Sequence, residues 1–389
     1  MDNVVNKRKQ SIGEMLYLTA LVFGISGSLL VSTMFSWAPH AIYLTRIAVV
    51  LCLVKSIFFD KYTLKQFLAY AASLGAAILS YDSARHDMLW VIPFIFAAKD
   101  VDFRKIMKVY FWTILILLLT VNILTIKGKI PNLIFFRDGK PRVSYGFNYP
   151  TIEAAHIFYF VLAYAVYKKF RLNVFQDVII ALLGCFIISK GDARLDGYLT
   201  FTILFIALFR RPIFKALDKL NNYIPAVIVV VLVIGYIILA KNYNSMNPAY
   251  FNLNNVLSNR LMLTQEGLMR YPIKLFGEHV QMQSFTGYDG LLMTQTSWMV
   301  RNYFYIDNVF VQTLLINGLL LFVAMLLTFA YLAYREMKLR NYAFVIAVVL
   351  LTVAGLIEIF SIQISYNIFA VMILANTSTW INERNTKDE

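Results

Sequence analysis

Apolar runs close to 20 residues long recur from one end of this 389-residue chain to the other, and they restrict its fold more than any motif does. Each is long enough to cross a bilayer core of about 30 Å. Composition agrees where it matters: 59% of the residues are hydrophobic and 15% are charged, against roughly 25% charged in soluble domains. The expectation is an all-α polytopic integral membrane protein, with residues 1–389 forming a single membrane domain. Twelve transmembrane helices are expected, at about 14–34, 40–58, 66–81, 87–98, 108–126, 151–167, 174–189, 195–209, 223–240, 307–333, 341–357 and 360–377. The fourth is short, as a tilted or partly re-entrant segment would be. The run after Lys7-Arg8-Lys9 extends from about Met15 to Phe35. That is too long for the core of a signal peptide, and no clear small-residue cleavage site follows it.

A net charge of +14 would suit a nucleic-acid binder. Most of the cations, however, sit in short connections between apolar runs, which is the signature of membrane topology. Nucleic acid is therefore not an expected partner. With the N-terminus in the cytoplasm, 22 of the 36 Lys and Arg fall inside and 13 outside, and Arg46 lies within a span. Every inner connection then carries at least two cations, both termini are cytoplasmic, and one large extracytoplasmic loop covers residues 241–306. Cys52 and Cys185 both fall in apolar runs, so neither a disulfide framework nor a cysteine metal site is indicated.

The stretch 241–307 is the one long segment that cannot sit in a bilayer, because Asn, Gln, Arg, Asp and Gly interrupt every apolar run in it. Connections this long are uncommon unless they carry function or are disordered, and its aromatic and apolar content argues against disorder. A folded cap over a membrane-embedded site is expected. His40, His86, His156 and His279 all land at or near the outer face, so chemistry is expected there. Nucleotide-activated donors, which are made in the cytoplasm, are disfavoured, and no P-loop or GxGxxG pattern occurs.

Three outer segments hold candidate anion ligands. Residues 127–150, KGKIPNLIFFRDGKPRVSYGFNYP, place five cations including Arg142 against the positive-inside trend. They form either a solvated basic hairpin or a site for an anion, for which arginine's planar pair of donors suits phosphate. In SKGDARLDGY, residues 189–198, Arg194 lies between Asp192 and Asp196, as a local ion pair or as a phosphate ligand held by carboxylates. Residues 254–271 read as a helix ending at Pro272. On it Arg260 falls along an apolar face with Val256, Leu257, Leu261, Leu263, Leu268 and Tyr271. A lone cation there is costly unless it is paired or its tip escapes to water, and the expectation is an Arg aimed at a buried anion. Arg46, roughly two turns into the second span, is a further candidate.

Candidates for proton transfer are Glu153, His156, His279, Asp307 and Glu358. Glu153 and His156 share a helix face at i, i+3 spacing. Histidine suits base catalysis near neutral pH. Asp307 has an alternative reading as a helix cap beside Asn308, and Glu153 as a first-turn carboxylate favoured by the helix dipole. No HExxH, DxD or comparable cluster lies on the outer side, so no metal is expected.

Four segments resemble the Wzy-type polymerases of bacterial capsular or exopolysaccharide repeat units, which are related to the O-antigen ligases. They are RVSYGFNYPT at 142–151, ARLDGY at 193–198, LSNRLML at 257–263 with Leu275-Phe276-Gly277, and IDNVFVQTLLINGL at 306–319. They occur in the expected order, with the large loop before Asp307-Asn308. The resemblance covers most of the chain in topology and these short stretches in sequence. It departs at Tyr149, where the family often has His, and at Ala193-Arg194-Leu195, where the family has a Ser-Arg-Thr-like run. It implies an inverting, metal-independent membrane glycosyltransferase without cofactors in the bacterial cell membrane. A growing glycan would pass from undecaprenyl diphosphate to the non-reducing end of a fresh lipid-linked unit at the outer face. Arg142, Arg194 and Arg260 would bind diphosphate, with Arg46, His156 and Asn308 as further substrate contacts. His279, loosely matched to the ligases' outer-loop histidine, would be the base, with Asp307 and Glu153 as alternatives. The expected partners are the undecaprenyl-diphosphate-linked oligosaccharide, membrane lipid, and a flippase and chain-length regulator of the same pathway. Transfer of finished glycan to another acceptor, as in the ligases, stays open. So does transport of lipid-linked sugars, although a transporter should show internal repeats and none is visible here.

The charge distribution predicts that a reporter fused near Gln281 reads as external and reporters near Lys219 and Glu389 as cytoplasmic. Enzymatic fusions active on only one side of the membrane test this, and an internal signal at Gln281 overturns the orientation.

Overall fold

The computed structural model describes residues 2–80, 86–137, 139–295, 303–378 and 380. Arg85, Arg301, Arg384 and Lys387, counted in the charge distribution, lie outside the described residues, as does the expected end of the third span at 81. The protein is 71% helix and 4% strand. Among the described residues six helical segments are long and apolar enough to cross a membrane, 18 to 24 residues each: Lys9–Leu30, Ala38–Phe58, Phe103–Ile126, Val174–Gly191, Ile224–Lys241 and Leu319–Lys338. The bent pair Arg194–Leu208 and Arg210–Asp218 makes up to seven. The coarse expectation of an all-α membrane protein holds; the count of twelve does not.

The chain divides into two compact units, one of Met1–Ala71, Leu89–Leu208 and Gln363–Glu389, the other of Ala72–Met88 and Phe209–Ile362. In chain order the first eight helices are α1 (Asp2–Leu30), α2 (Ile42–Phe58), α3 (Leu64–Leu79), α4 (Asp87–Ala97), α5 (Phe103–Ile126), α6 (Pro150–Tyr167), α7 (Val174–Gly191) and α8 (Arg194–Leu208). Helix α1 packs on α2 and α5, and α6 on α5, α7 and α8. Helix α5 shows how the spans are written: Tyr110, Ile114, Leu118 and Val121 are buried, while Trp112, Ile116, Leu119 and Ile123 are exposed. An apolar stripe of that size would be a liability in water and costs nothing against lipid tails. Helix α6 is apolar nearly all round and most of its residues are buried, the pattern of a helix enclosed by others.

Between α5 and α6 the cation-bearing segment, read either as a hairpin or as an anion site, contains a hairpin, with β1 (Ile134–Arg137) antiparallel to β2 (Lys140–Val143) and Phe135 opposite Arg142. Its continuation is tied to the end of α1, where Met34 N donates to the Gly146 carbonyl at 2.8 Å and Asn148 N to that of Ser32 at 2.9 Å. This fixes the approach to α6.

The second unit carries α9 (Arg210–Asp218), α10 (Ile224–Lys241), α11 (Pro248–Val256), α12 (Arg260–Arg270), α13 (Gly287–Gln295), α14 (Val309–Gln312), α15 (Leu319–Lys338) and α16 (Tyr342–Gly355). Among its described residues the stretch 241–306 thus holds short helices, and it shares a core with the residues that follow it. Leu263, Val280, Phe304 and Ile306 are buried together with Val311, Leu315 and Ile316, and Tyr271 and Met282 pack against them. The helix expected over 254–271 is two helices, because Ser258 and Asn259 take left-handed conformations at φ 53° and 66°. Val256 is consequently exposed while Leu261 and Leu263 are buried.

The missing spans have local causes. Helices α3, α4 and α16 have 16, 11 and 14 residues, and α4 contains Pro93; at 1.5 Å per residue none matches a bilayer core alone. The stretch expected as a helix over 360–377 holds only short 3-10 turns, Phe360–Ile362 and Phe369–Ile373. There the Asn367 side chain accepts from Phe369 N at 3.0 Å, a competing bond of the kind that stops helices. The span expected over 307–333 is broken by a π turn over Thr313–Asn317 and by Gly318 at φ 92°.

A strap holds that break together. Leu319 N donates to the Lys274 carbonyl at 2.9 Å, Leu320 N to Leu275 at 3.3 Å, and Glu278 N to Leu315 at 2.9 Å. The strap and the break cross at Gly277 and Gly318, both at positive φ; a Cβ on Gly277 would overlap the Ile316 carbonyl, and one on Gly318 that of Leu275. Gly277→Ala and Gly318→Ala should each destabilise the protein by more than the ~1–2 kcal/mol of a left-handed residue, because backbone must also move. Gly75→Ala, where the added methyl meets nothing, should be neutral or stabilising by up to ~1 kcal/mol. Thermal unfolding in detergent compares the three.

Candidate functional site

The first unit brings three arginines to the C-terminal end of α7. Pairing in the hairpin places Arg142 opposite Phe135 on the buried face; it is 5% exposed. Its Nε donates to the Gly191 carbonyl at 3.0 Å and its Nη1 to the Tyr149 hydroxyl at 3.1 Å. The guanidinium stands 5.3 Å from the Tyr149 ring centroid, and Phe135 packs edge-on to the same ring at 5.0 Å. One residue on, Asp192 closes α7 in a left-handed conformation at φ 45°. Its carboxylate receives Arg194 Nε at 3.1 Å and lies 3.7 Å from Arg137 Nη1. Cations are favoured at a helix C-terminus by the helix dipole, which accounts for part of the convergence. It does not account for Arg142. That guanidinium is buried, and among the described residues it has only a carbonyl and a phenol as acceptors and forms no ion pair, a costly state for a charge. The Arg194 side chain is half-exposed and takes the Asp192 pair anticipated as one of its two readings.

A crevice too tight to admit a water molecule adjoins these groups, lined by Val143, Tyr145, Pro150, Glu153, Ala154, Phe186, Ile187 and Gly191. Glu153 is in the first turn of α6, as expected, and buried, and near it is Asn122, whose Nδ2 donates to the Leu118 carbonyl at 2.9 Å. The Tyr145 hydroxyl, in the loop before α6, is held above the usual phenol range by burial and then by the Glu153 charge. His156 does not join Glu153. Its Nδ1 lies 2.9 Å from the Ile152 carbonyl, and its ring is set against Tyr366 and Phe147 at 3.8 and 5.7 Å between centroids. The shared helix face leads to aromatic packing instead.

In the second unit Arg260 is not the lone cation in an apolar stripe that the sequence suggested. As the first residue of α12 it donates from Nε to the Ile357 carbonyl at 2.7 Å and from Nη1 to that of Leu257 at 3.4 Å, and its Nη2 is 3.3 Å from Asp307. Asp307 is therefore Arg260's partner, and the cap of α14 is Asn308. The Asn308 carboxamide accepts from Val311 N at 2.9 Å and donates to the Leu356 carbonyl at 2.9 Å. His279 is exposed. Glu358, the remaining proton-transfer candidate, is buried, and its carbonyl accepts from Val309 N at 3.1 Å. Arg46, in the first unit, is exposed about two turns into the membrane-length segment Ala38–Phe58, as expected, with its guanidinium over the Tyr43 ring at 5.1 Å. No three His, Cys, Asp or Glu converge to hold a metal among the described residues.

Sequence reasoning missed Asn122 and Asn254. A polar residue inside an apolar run was the available signal for Asn122. Asn254 is buried, accepts from Met262 N at 3.0 Å and donates to Asn259 at 2.9 Å, a tertiary role that its position in a polar stretch conceals.

Comparison with protein-family models, curated proteins and solved structures gives no match to this chain.

The two arginine environments predict different costs. Arg260→Ala removes two carbonyl bonds and an ion pair and should destabilise by about 1.5–3 kcal/mol. Asp307→Asn leaves both carbonyl bonds and should cost about 1 kcal/mol or less. Equal losses in detergent melting would make the ion pair the main term.

Proposed function

We propose that the protein polymerises lipid-linked saccharide units at the outer face of the bacterial membrane, with a diphosphate as leaving group. The observation that carries this reading is Arg142: a buried guanidinium with neutral acceptors only, beside two further arginines gathered on Asp192. A multiply charged phosphate ligand would meet that excess of positive charge and use the paired donors arginine offers. The resemblance of residues 142–151, 193–198, 257–263 and 306–319 to the Wzy-type polymerases names the class of such a ligand. In this reading both termini are cytoplasmic and residues 241–306 are extracytoplasmic.

The acceptor hydroxyl oxygen forms a bond to the anomeric carbon of the donor as the bond from that carbon to the diphosphate oxygen breaks, with inversion. The hydroxyl proton goes to a base, and the developing diphosphate charge is met by fixed cations. We assign the base to Glu153. It lines the same crevice as Gly191, whose carbonyl holds Arg142. Asp307 is engaged by Arg260, and His279 is exposed. Restricting water around the donor protects it from hydrolysis.

Arg142→Lys and Arg194→Lys keep the charge and lose the paired donors, so polymer should fall by about 10²–10³ in rate, the usual cost of one oriented donor. Arg260→Lys is expected to act through stability as well, so its protein level is read alongside. With purified lipid-linked units as substrate, Glu153→Gln should abolish elongation and leave donor binding in place, while His279→Ala polymerises near the wild-type rate. Normal polymer from Arg142→Lys sinks the diphosphate assignment; inactivity of His279→Ala alone returns the base to the 241–306 segment. Glycan profiling of a deletion strain separates the classes: loss of a polymerase leaves single lipid-linked units outside the membrane.

A further inference from the structure

Helix α9 has a role that the polymerase reading does not use. Its nine residues, RRPIFKALD, are too few to cross a bilayer and none is buried. At about 100° per residue, Ile213, Phe214 and Leu217 share one face, with Arg211, Lys215 and the following Lys219 on the other. The apolar face is partly covered. Phe214 and Leu217 pack against Met337, Tyr342 and Val345 at the turn between α15 and α16. Phe214 meets Tyr342 edge-on at 5.6 Å and carries Arg210 above its ring at 4.6 Å.

The one acid in the helix is already taken. Asp218 accepts from the Tyr342 hydroxyl and lies 3.4 Å from Arg340 Nη1. Arg335, in the last turn of α15, is bound to the buried Glu336 carboxylate at 2.6 Å. Arg211, Lys215, Lys219 and Lys338 remain; all four are exposed, and none forms an ion pair among the described residues. They stand where the membrane-length helix α15 ends and just before α10 begins. At the same level Tyr223 stacks on Tyr334 at 4.8 Å, a pair of the kind enriched at headgroup depth. A short, surface-lying helix with a strong polar–apolar division and a basic face is the form of an interfacial helix.

We infer that α9, with the α15–α16 turn, is a binding surface for the headgroups of anionic phospholipid. The apolar face docks the helix onto the protein, and Arg211, Lys215, Lys219 and Lys338 hold the lipid phosphates. The choice of lipid over a soluble anion follows from place. Arg211 and Lys215 lie on α9, Lys219 just after it and Lys338 at the end of the membrane-length helix α15, all four exposed. The inference is independent of the polymerase reading, since it uses none of its residues.

The test is native mass spectrometry of the full chain in detergent titrated with phosphatidylglycerol or phosphatidylcholine. Wild type should retain phosphatidylglycerol in preference to phosphatidylcholine. Each basic residue near an anionic surface contributes about fivefold, so the quadruple variant Arg211→Gln, Lys215→Gln, Lys219→Gln, Lys338→Gln should lose at least about tenfold in phosphatidylglycerol affinity. The double variant Lys215→Gln, Lys219→Gln, which touches no internal contact, should lose severalfold and serves if the quadruple variant does not fold. Lys215→Arg with Lys219→Arg should bind as wild type. Unchanged phosphatidylglycerol binding by the glutamine variants overturns the inference, as does equal binding of the two lipids by wild type. Displacement of the lipid by millimolar inorganic phosphate would mark a phosphate site and overturn it too.

Discussion

A backbone that leaves the α-helix away from water has to find partners for every N–H and carbonyl it releases, and much of this protein is arranged around that requirement. The chain breaks inside apolar sequence at 313–318 and again over 356–377. At the first break the strap 274–278 supplies the missing acceptors and donor. At the second, side chains do so within each unit. Asn308 and Arg260 take the carbonyls of Leu356 and Ile357, and the Tyr110 hydroxyl takes those of Ser365 and Tyr366 at 3.2 and 2.7 Å. Polar residues that read from sequence as chemistry are in part the fasteners of irregular backbone.

That distinction separates the arginines. Arg260 is a clasp, with two carbonyls and a carboxylate accounting for three of the five N–H donors a guanidinium has. Arg194 is a surface ion pair, a type worth little by itself. Arg142 differs from both in being buried without a counter-charge among the described residues, and a structural role accounts for its hydrogen bonds but not for its charge. The same reasoning distinguishes the carboxylates, since Asp307 and Asp192 neutralise arginines while Glu153 faces a crevice with an amide as neighbour.

How much was legible depended on what each residue needed in order to be placed. The membrane character, the helical class and the two breaks at Ser258-Asn259 and Gly318 illustrate the range. Apolar content is a sum over local sequence, so it needed no fold. Gly318 could have been suspected as a break, but not the strap that makes it tolerable, because Lys274 and Leu275 meet it only through tertiary contact. The count of twelve spans failed because hydropathy records whether a segment tolerates lipid, not whether it is straight or exposed to it. Segment 360–377 is apolar and mostly buried, and its Asn367 and Asn376 side chains accept from nearby backbone N–H groups.

The sequence by itself determined that this chain enters a membrane, that it does so as helices, and that Glu153 opens a helix. Each follows from composition or short-range periodicity, which act within a few residues. Only the tertiary structure decided that Arg260 belongs to Asp307, that Asn308 rather than Asp307 caps α14, that His156 is enclosed by aromatic rings, and that Arg142 is buried against a carbonyl and a phenol. Those outcomes turn on which groups from distant parts of the chain come within about 3 Å of each other, the range over which a hydrogen bond decides a side chain's role. That distance is set by packing and cannot be read from local sequence.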